Sequence, residues 1–98
     1  MKQEPLQVGQ IVRSTQGRDK DRYFVVIDVL DEDHALLVDG SLRRLDKPKK
    51  KKRKHFISTG FVSEEIQQRI ASEKKMNNAL IRVELERSLT IEPGKNGG

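Results

Sequence analysis

Hydrophobic and polar positions alternate in short segments through the first half of the chain, a pattern typical of half-buried β-strands. The clearest segment, residues 23–30, is rich in aromatic and β-branched residues, which favour strands. Its alternation divides the side chains between two faces, with Tyr23, Val25, Ile27 and Val29 on one and Phe24, Val26 and Asp28 on the other. Further strands are predicted over residues 8–15, 35–39, 41–45 and 55–59.

Turn signals separate these segments at intervals of roughly ten residues, which favours an all-β sandwich or a small barrel. Residues 16–22 form a polar turn in which Gly17 supplies a backbone shape that a Cβ atom would oppose. Residues 30–34 form an acidic turn, and Asp39-Gly40 is a strong hairpin signal. We therefore expect a mostly β fold of about five strands, with Gly17 and Gly40 as structural turn residues.

The second half changes to a helical pattern. Ser63 is placed to cap a helix, and Glu64 and Glu65 follow in the first turn, where the helix dipole favours carboxylates. Lys74 and Lys75 suit the end of that helix. A second helical segment over residues 79–88, capped by Asn78, is predicted as well, so one bent helix and two helices fit equally well. The predicted organisation is a β domain over residues 1–62 with a basic loop at 47–54, a helical extension packed on it over 63–90, and a disordered tail over 91–98.

Length and composition narrow the classes of protein. The chain has 98 residues, enough for one small domain, and contains no Cys. Disulfides, thiolate nucleophiles and Cys-type zinc sites are thereby excluded. No secretory segment is visible at the N-terminus and no apolar run approaches the roughly 20 residues that span a bilayer. We therefore expect a cytoplasmic protein without a membrane partner.

Charge is unevenly distributed along the chain. The net charge is +5, and residues 47–54 alone carry seven positive charges, so the remainder sums to −2. Such a local concentration of cations predicts a polyanionic partner. Because this run contains Pro48 and mutually repelling charges, we expect it to form a loop between two strands rather than a strand interior or a helix.

A polyphosphate backbone suits this run, because lysines that neutralise phosphates release condensed counterions. A solvated loop and a nuclear localisation signal are alternatives, and a membrane-surface role is weaker because no amphipathic apolar face accompanies the run. The turn at residues 16–22 is either a charged surface turn held by local ion pairs or a second phosphate-contacting loop. The candidate nucleic-acid-binding residues are Arg18, Lys20, Arg22, Arg43, Arg44, Lys47, Lys49, Lys50, Lys51, Lys52, Arg53, Lys54 and His55.

The sequence gives little support for base stacking, metal binding or catalysis. Tyr23, Phe24, Phe56 and Phe61 could stack on bases, but burial is favoured because so small a core needs its few aromatics. Residues 31–34, DEDH, lack the spacing and the glycine of a calcium loop. No nucleophile elbow, phosphate-binding glycine loop or zinc motif is present. We expect no enzyme activity, no metal, no cofactor and no small-molecule substrate.

Residues 8–29, with Gly17 in the turn between two strands, resemble the KOW motif of ribosomal proteins and transcription elongation factors. Residues 8–56 as a whole resemble the bacterial KOW-domain RNA-binding proteins, small relatives of the large-subunit ribosomal KOW proteins of the L-fourteen-e group. The resemblance rests on SxxGRDKxR, DGxLRxLxKPKKKK and the following KH-aromatic. It departs from the motif at Asp21, where glycine is common, and this bears on the tightness of the turn.

The resemblance implies an SH3-like barrel, RNA binding and association with the ribosome. We therefore expect a non-enzymatic protein that binds the phosphate backbone of structured RNA, with ribosomal RNA and ribosomal proteins as the first candidate partners. The alternative is an SH3-like protein-interaction module whose basic loop gives only non-specific affinity for nucleic acid.

Overall fold

The structure, a computed structural model, describes residues 5–90. Within this range the chain forms five strands, a 3₁₀ turn and two α-helices. In chain order these are β1 (Gln10–Ser14), β2 (Tyr23–Asp31), β3 (His34–Val38), β4 (Lys49–Lys52), the 3₁₀ turn (Arg53–His55), β5 (Phe56–Val62), α1 (Glu64–Ala71) and α2 (Asn78–Thr90). The tail predicted over residues 91–98 lies outside the described residues.

The strands form one antiparallel sheet in the order β4-β3-β2-β1-β5. The chain meanders through the first four strands, and β5 then returns to pair with β1. This arrangement confirms the predicted mostly β fold, a small barrel-like sheet followed by helices. It also decides between one bent helix and two: among the described residues there are two, separated by residues 72–77.

Side chains from both faces of the sheet are buried, and they form two separate cores. The strand core is built from strand residues alone: Val12, Phe24, Val26, Ala35, Leu37 and Phe56. The helix core joins the opposite face to the helices: Ile11, Val25, Val38, Ile66, Ile81 and Leu85. Adjacent residues of β1 and β2 therefore pack into different cores, because successive side chains of a strand point to opposite faces of the sheet.

One detail of the predicted alternation is wrong. Tyr23, Val25 and Ile27 share a face as expected, and this face meets the helix core, but Val29 packs against the strand core. The pairing of β2 with β3 shifts register between Val26 and Asp28, and again between Val29 and Asp31. Because an irregularity of this kind inserts a residue on one strand, the residues beyond it exchange faces.

Local hydrogen bonds define the helix ends. Ser63 Oγ accepts from the backbone N–H of Ile66, so the predicted cap of α1 is confirmed. The same hydroxyl donates to Glu84 Oε1 at 2.6 Å and ties α2 to the start of α1. Asn77, not Asn78, caps α2, because Asn77 Oδ1 accepts from Leu80 N–H at 2.8 Å. Asn78 Oδ1 instead accepts from the backbone N–H of Leu45, which attaches the loop after β3 to the helix.

Candidate nucleic-acid interface

The turn at residues 16–22 is held by its own backbone. Asp21 N–H donates to Ser14 O at 2.7 Å, Lys20 N–H to Gly17 O at 3.2 Å, and Arg22 N–H to Asp19 O at 3.0 Å. Asp21 adopts a φ of 72°, a left-handed conformation in which glycine is easiest and Asp is tolerated. The closed turn leaves Arg18, Lys20 and Arg22 exposed to solvent.

Asp19, in the same turn, is the buried counterpart of these exposed cations. Only 8% of the residue is exposed. Its Oδ1 atom accepts from Ser14 Oγ at 2.9 Å and from Lys51 Nζ at 2.7 Å. Lys51 Nζ also donates to Gln16 O at 2.9 Å. The turn is thus anchored to a lysine 32 residues further along the chain.

Lys51 belongs to β4, and here one prediction is wrong. The basic run is not a loop throughout: Lys49–Lys52 is a strand that pairs with β3, and Arg53–His55 is a 3₁₀ turn. Nor is every lysine of the run free for phosphate, because Lys51 is only 7% exposed and is held in the ion pair with Asp19.

The strand geometry explains how so many cations can be accommodated in β4. Lys49 and Lys51 lie opposite Leu37 and Ala35 of the strand core, whereas Lys50 and Lys52 lie opposite Leu36 and His34. Successive side chains of a strand point to opposite faces, so the repelling charges are divided between two sides of the sheet. Asp19 then partly neutralises one side: its Oδ2 atom lies 3.9 Å from Lys49 Nζ.

The ionisation of Asp19 follows from these contacts. Burial by itself would raise the pKa of this carboxyl group. The hydrogen bonds from Lys51 and Ser14 and the charges of Lys51 and Lys49 outweigh that effect, and they hold the pKa of Asp19 below its ordinary value. Asp19 is therefore a carboxylate at neutral pH, and the Asp19–Lys51 contact is a true ion pair.

The loop between β3 and β4 supplies the next part of the site. Asp39 Oδ1 accepts from the backbone N–H groups of Ser41 and Arg43, at 2.9 and 2.8 Å. Asp39 and Gly40 also donate their own N–H groups to Arg43 O. The turn predicted at Asp39-Gly40 is present, but the strand predicted over residues 41–45 is not, because this compact turn uses the backbone groups that a strand would need.

The two turns and β4 enclose a surface pocket of about 440 Å³. Four cations line it together with two carboxylates and two apolar residues. We call it the cationic pocket, and its lining consists of Arg18, Asp19, Arg22, Phe24, Asp39, Leu42, Arg43 and Lys49. Four predicted binding residues from three separate segments, Arg18, Arg22, Arg43 and Lys49, are thereby brought together.

The other candidate residues are placed elsewhere. Arg53 lines a second, smaller pocket of about 230 Å³ beside Phe56 and Ile57. His55 is partly exposed, and its carbonyl oxygen accepts from Thr15 N–H. The remaining candidates are exposed but do not line the cationic pocket: Lys20, Arg44, Lys47, Lys50, Lys52 and Lys54.

Four lining residues are not among the predicted binding residues: Asp19, Phe24, Asp39 and Leu42. Asp19 stands between Arg18 and Lys20, so its pattern in the sequence favours a local ion pair rather than a buried one across the fold. Leu42 fits a strand face in the sequence, yet it is 63% exposed beside the pocket. The predicted burial of aromatics is confirmed for Phe24 and Phe56, which are 1% and 6% exposed.

Comparisons with known proteins add no identification. The chain matches no protein-family model, and a search of curated proteins finds none that is similar to it in sequence. Among residues 5–90 no cluster of three or more His, Cys, Asp or Glu side chains could hold a metal ion. Within the same range no helix combines the length and the apolar character needed to cross a membrane.

Proposed function

We propose that this protein is a non-enzymatic RNA-binding protein that holds the phosphate backbone at the cationic pocket. The observation that carries the proposal is the convergence of Arg18, Arg22, Arg43 and Lys49, from segments far apart in sequence, around one surface depression. These four cations outnumber the two carboxylates of the same lining, Asp19 and Asp39, so the pocket keeps a positive charge that a further anion would neutralise. A phosphodiester chain does so and gains free energy from the counterions it releases.

The two kinds of cation contribute differently. Arginine presents a planar fork that bonds phosphate oxygens in pairs and stacks on unpaired bases, and three of the four cations in the pocket are arginines. Lys50 and Lys52 point to the other side of β4 and extend the positive field beyond the pocket. Contacts of these kinds position a nucleic acid and carry little base specificity.

The resemblance to the bacterial KOW-domain RNA-binding proteins is the reason to prefer structured RNA over DNA. It also favours ribosomal RNA or a ribosome-related particle as the target, and with it a cytoplasmic location. The segments that carry the resemblance are residues 14–22 and 39–56, and these contain the four cations of the pocket.

The dependence of RNA affinity on salt tests the proposal. If each of the four cations neutralises one phosphate of a single strand, log affinity falls against log salt with a slope of about −2.8. Replacing Arg22 and Arg43 together with Gln should reduce the slope to about −1.4 and weaken binding about tenfold at low salt. Fluorescence anisotropy of a labelled single-stranded RNA measures both quantities.

Lys74 and Lys75 provide the matched control. Both are exposed, and they lie in the segment between α1 and α2 rather than in the pocket. Their double replacement by Gln removes the same charge and should leave the slope unchanged. A salt response that is flat in the wild type, or an equal loss in this control, would show that the pocket does not bind the backbone.

Association with ribosomes needs a separate test. The wild-type chain should sediment with ribosomal particles from extracts of the cells that make it, and should leave them when the salt concentration is raised. The protein with Arg22 and Arg43 replaced should remain at the top of the gradient at low salt. Sedimentation of both proteins with the particles would remove the pocket from this interaction.

A further inference from the structure

Asp19, which lines the cationic pocket, carries a buried acceptor without a donor. Asp19 Oδ1 accepts two hydrogen bonds, but Asp19 Oδ2, although shielded from solvent, has no hydrogen-bond partner among residues 5–90. Lys49 Nζ lies 3.9 Å from Oδ2, beyond hydrogen-bond distance. A carboxylate oxygen that is buried without a donor costs free energy, and a ligand that brings an N–H group to it recovers that cost.

A phosphate group alone does not explain this feature. Phosphate suits Arg18, Arg22 and Arg43, but it has no donor for Asp19 Oδ2 and is repelled by its charge. The pocket also contains Leu42, whose exposed apolar side chain suits a flat ring better than an anion. A nucleotide combines all three requirements: an anionic phosphate, a flat base and, in adenine, cytosine and guanine, an exocyclic amino group that donates.

We infer that the cationic pocket selects one unpaired nucleotide of the bound RNA by accepting a hydrogen bond from its base amino group at Asp19 Oδ2. The nucleotide must be unpaired, because a base that is stacked and paired in a duplex cannot lay its ring against Leu42 and reach a shielded carboxylate at the same time. Uracil lacks an exocyclic amino group, and its N3–H donor lies between two carbonyl oxygens that a carboxylate repels, so the pocket discriminates against it. This inference rests on the proposed function. It adds a preference for certain bases at one nucleotide position to backbone binding that is otherwise independent of sequence.

Lys49 completes the arrangement. Its side chain is one-third exposed and lies at the end of the sheet, so the ammonium group can turn from Asp19 toward a phosphate when a base arrives. The ion pair with Lys51 and the hydrogen bond from Ser14 meanwhile keep Asp19 ionised and fixed in place. The carboxylate is therefore fixed before the RNA binds, and only the Lys49 side chain has to move, which limits the entropic cost of recognition.

The test uses the wild-type chain and an oligouridine of about ten nucleotides, a length comparable to single-strand binding sites. In three further oligonucleotides the central uridine is replaced by adenosine, cytidine or guanosine. The best of these should bind about tenfold more tightly than oligouridine, as befits a hydrogen bond to a charged group. Inosine in place of guanosine, or purine riboside in place of adenosine, removes only the amino group and should abolish that gain.

Asp19→Asn gives a second arm. The amide oxygen can keep the contacts to Ser14 and Lys51, which places the amide N–H₂ group where Oδ2 was. The pocket then offers a donor instead of an acceptor, so the preference should shift from the amino-bearing base to uridine. Asp21→Asn makes the same change at an exposed residue of the same turn and should leave the preference unaltered.

The outcomes separate this inference from the proposed function. Equal, salt-dependent binding of all four oligonucleotides would overturn the base selection and leave backbone binding intact, as would a gain that survives loss of the amino group. Loss of the gain through a 2′-deoxy substitution alone would assign Asp19 to the ribose and overturn it too. Failure to bind any of the oligonucleotides would remove both proposals. If Asp19→Asn does not fold, the binding of the base analogues to the wild-type chain still tests the base selection.

Discussion

Gly40 illustrates how much a single residue position constrains this molecule. Its φ is 78°, a conformation that residues with a Cβ rarely adopt. A Cβ atom at this position would also lie 2.5 Å from Asn78 O and 2.9 Å from Arg82 Cγ. Arg82 Nη1 in turn donates to Gly40 O. Glycine is therefore required here both by the backbone conformation and by the closeness of α2.

Replacing Gly40 with Ala should lower the free energy of unfolding by about 3 kcal/mol, the sum of left-handed strain and overpacking. Gly60 is the matched control, because its φ is 88° but no described atom lies within 4 Å of the position of a Cβ. Gly60→Ala should cost only the strain, about 1 kcal/mol. Urea denaturation measures both values. Equal losses would show that contact with α2 does not constrain Gly40.

At Gly40 the sequence predicts the turn but not the packing against α2. The Asp39-Gly40 pair identifies a turn because both residue types favour one. The neighbours that exclude a Cβ, Asn78 and Arg82, lie about 40 residues further along the chain and leave no local signal. The same limitation hides the partner of Asp19.

At the scale of elements, the strands β1, β2, β3 and β5 and the start of α1 follow from local patterns, since their apolar alternation and capping residue are visible in short windows of sequence. β4 does not. Lysine is a poor strand former and neighbouring lysines repel one another, so the sequence predicts a loop over residues 49–52. What makes them a strand is pairing with β3 and the carboxylate of Asp19, both contributed by distant segments.

The cationic pocket was predictable only in part for the same reason. Its cations are evident from composition, but which of them meet depends on turns and pairings that bring residues 18–22, 43 and 49 together. Lys51 shows the converse. It is indistinguishable in sequence from Lys50 and Lys52, and only its register opposite Ala35 directs it to Asp19.

The Asp19–Lys51 pair that holds β4 against the turn should make stability depend on acid. The pKa of Asp19 is lowered in the folded protein, so its contribution is present above the ordinary carboxyl pKa of about 4. The contribution is lost as the pH falls through the lowered folded value. Wild type should be more stable than Asp19→Asn to urea at pH 7, and the difference should shrink below about pH 4. A difference that stays constant down to pH 2 would contradict this account.

At the scale of the whole molecule, the helices are part of the folding unit rather than an addition to a finished barrel. Ile11, Val25 and Val38 of the sheet are buried only because Ile66 and Ile81 cover the same face. A small chain cannot leave such a surface exposed and stay stable. We therefore expect sheet and helices to unfold together.

Two signals can follow this transition separately. Tyr23 packs against the helix core and is the only Tyr in a chain without Trp, so its fluorescence reports on the sheet. Circular dichroism at helical wavelengths reports on α1 and α2. Ile81→Ala should cost about 3 kcal/mol and shift both urea curves together. Val83→Ala, on the same helix but 56% exposed, should shift neither by more than about 0.5 kcal/mol. Separate transitions would refute a single cooperative unit.

The lysines of β4 also determine how one copy of this protein meets another. Among the described strands β4 pairs only with β3, so its outer side carries backbone groups that an approaching chain could extend into a continuous intermolecular sheet. Two such edges brought side by side would place the exposed ammonium groups of Lys50 and Lys52 close to those of the second copy, and their repulsion opposes the association. Valine or threonine in place of the exposed Lys50 and Lys52 would still pair with β3 but would remove this protection against aggregation.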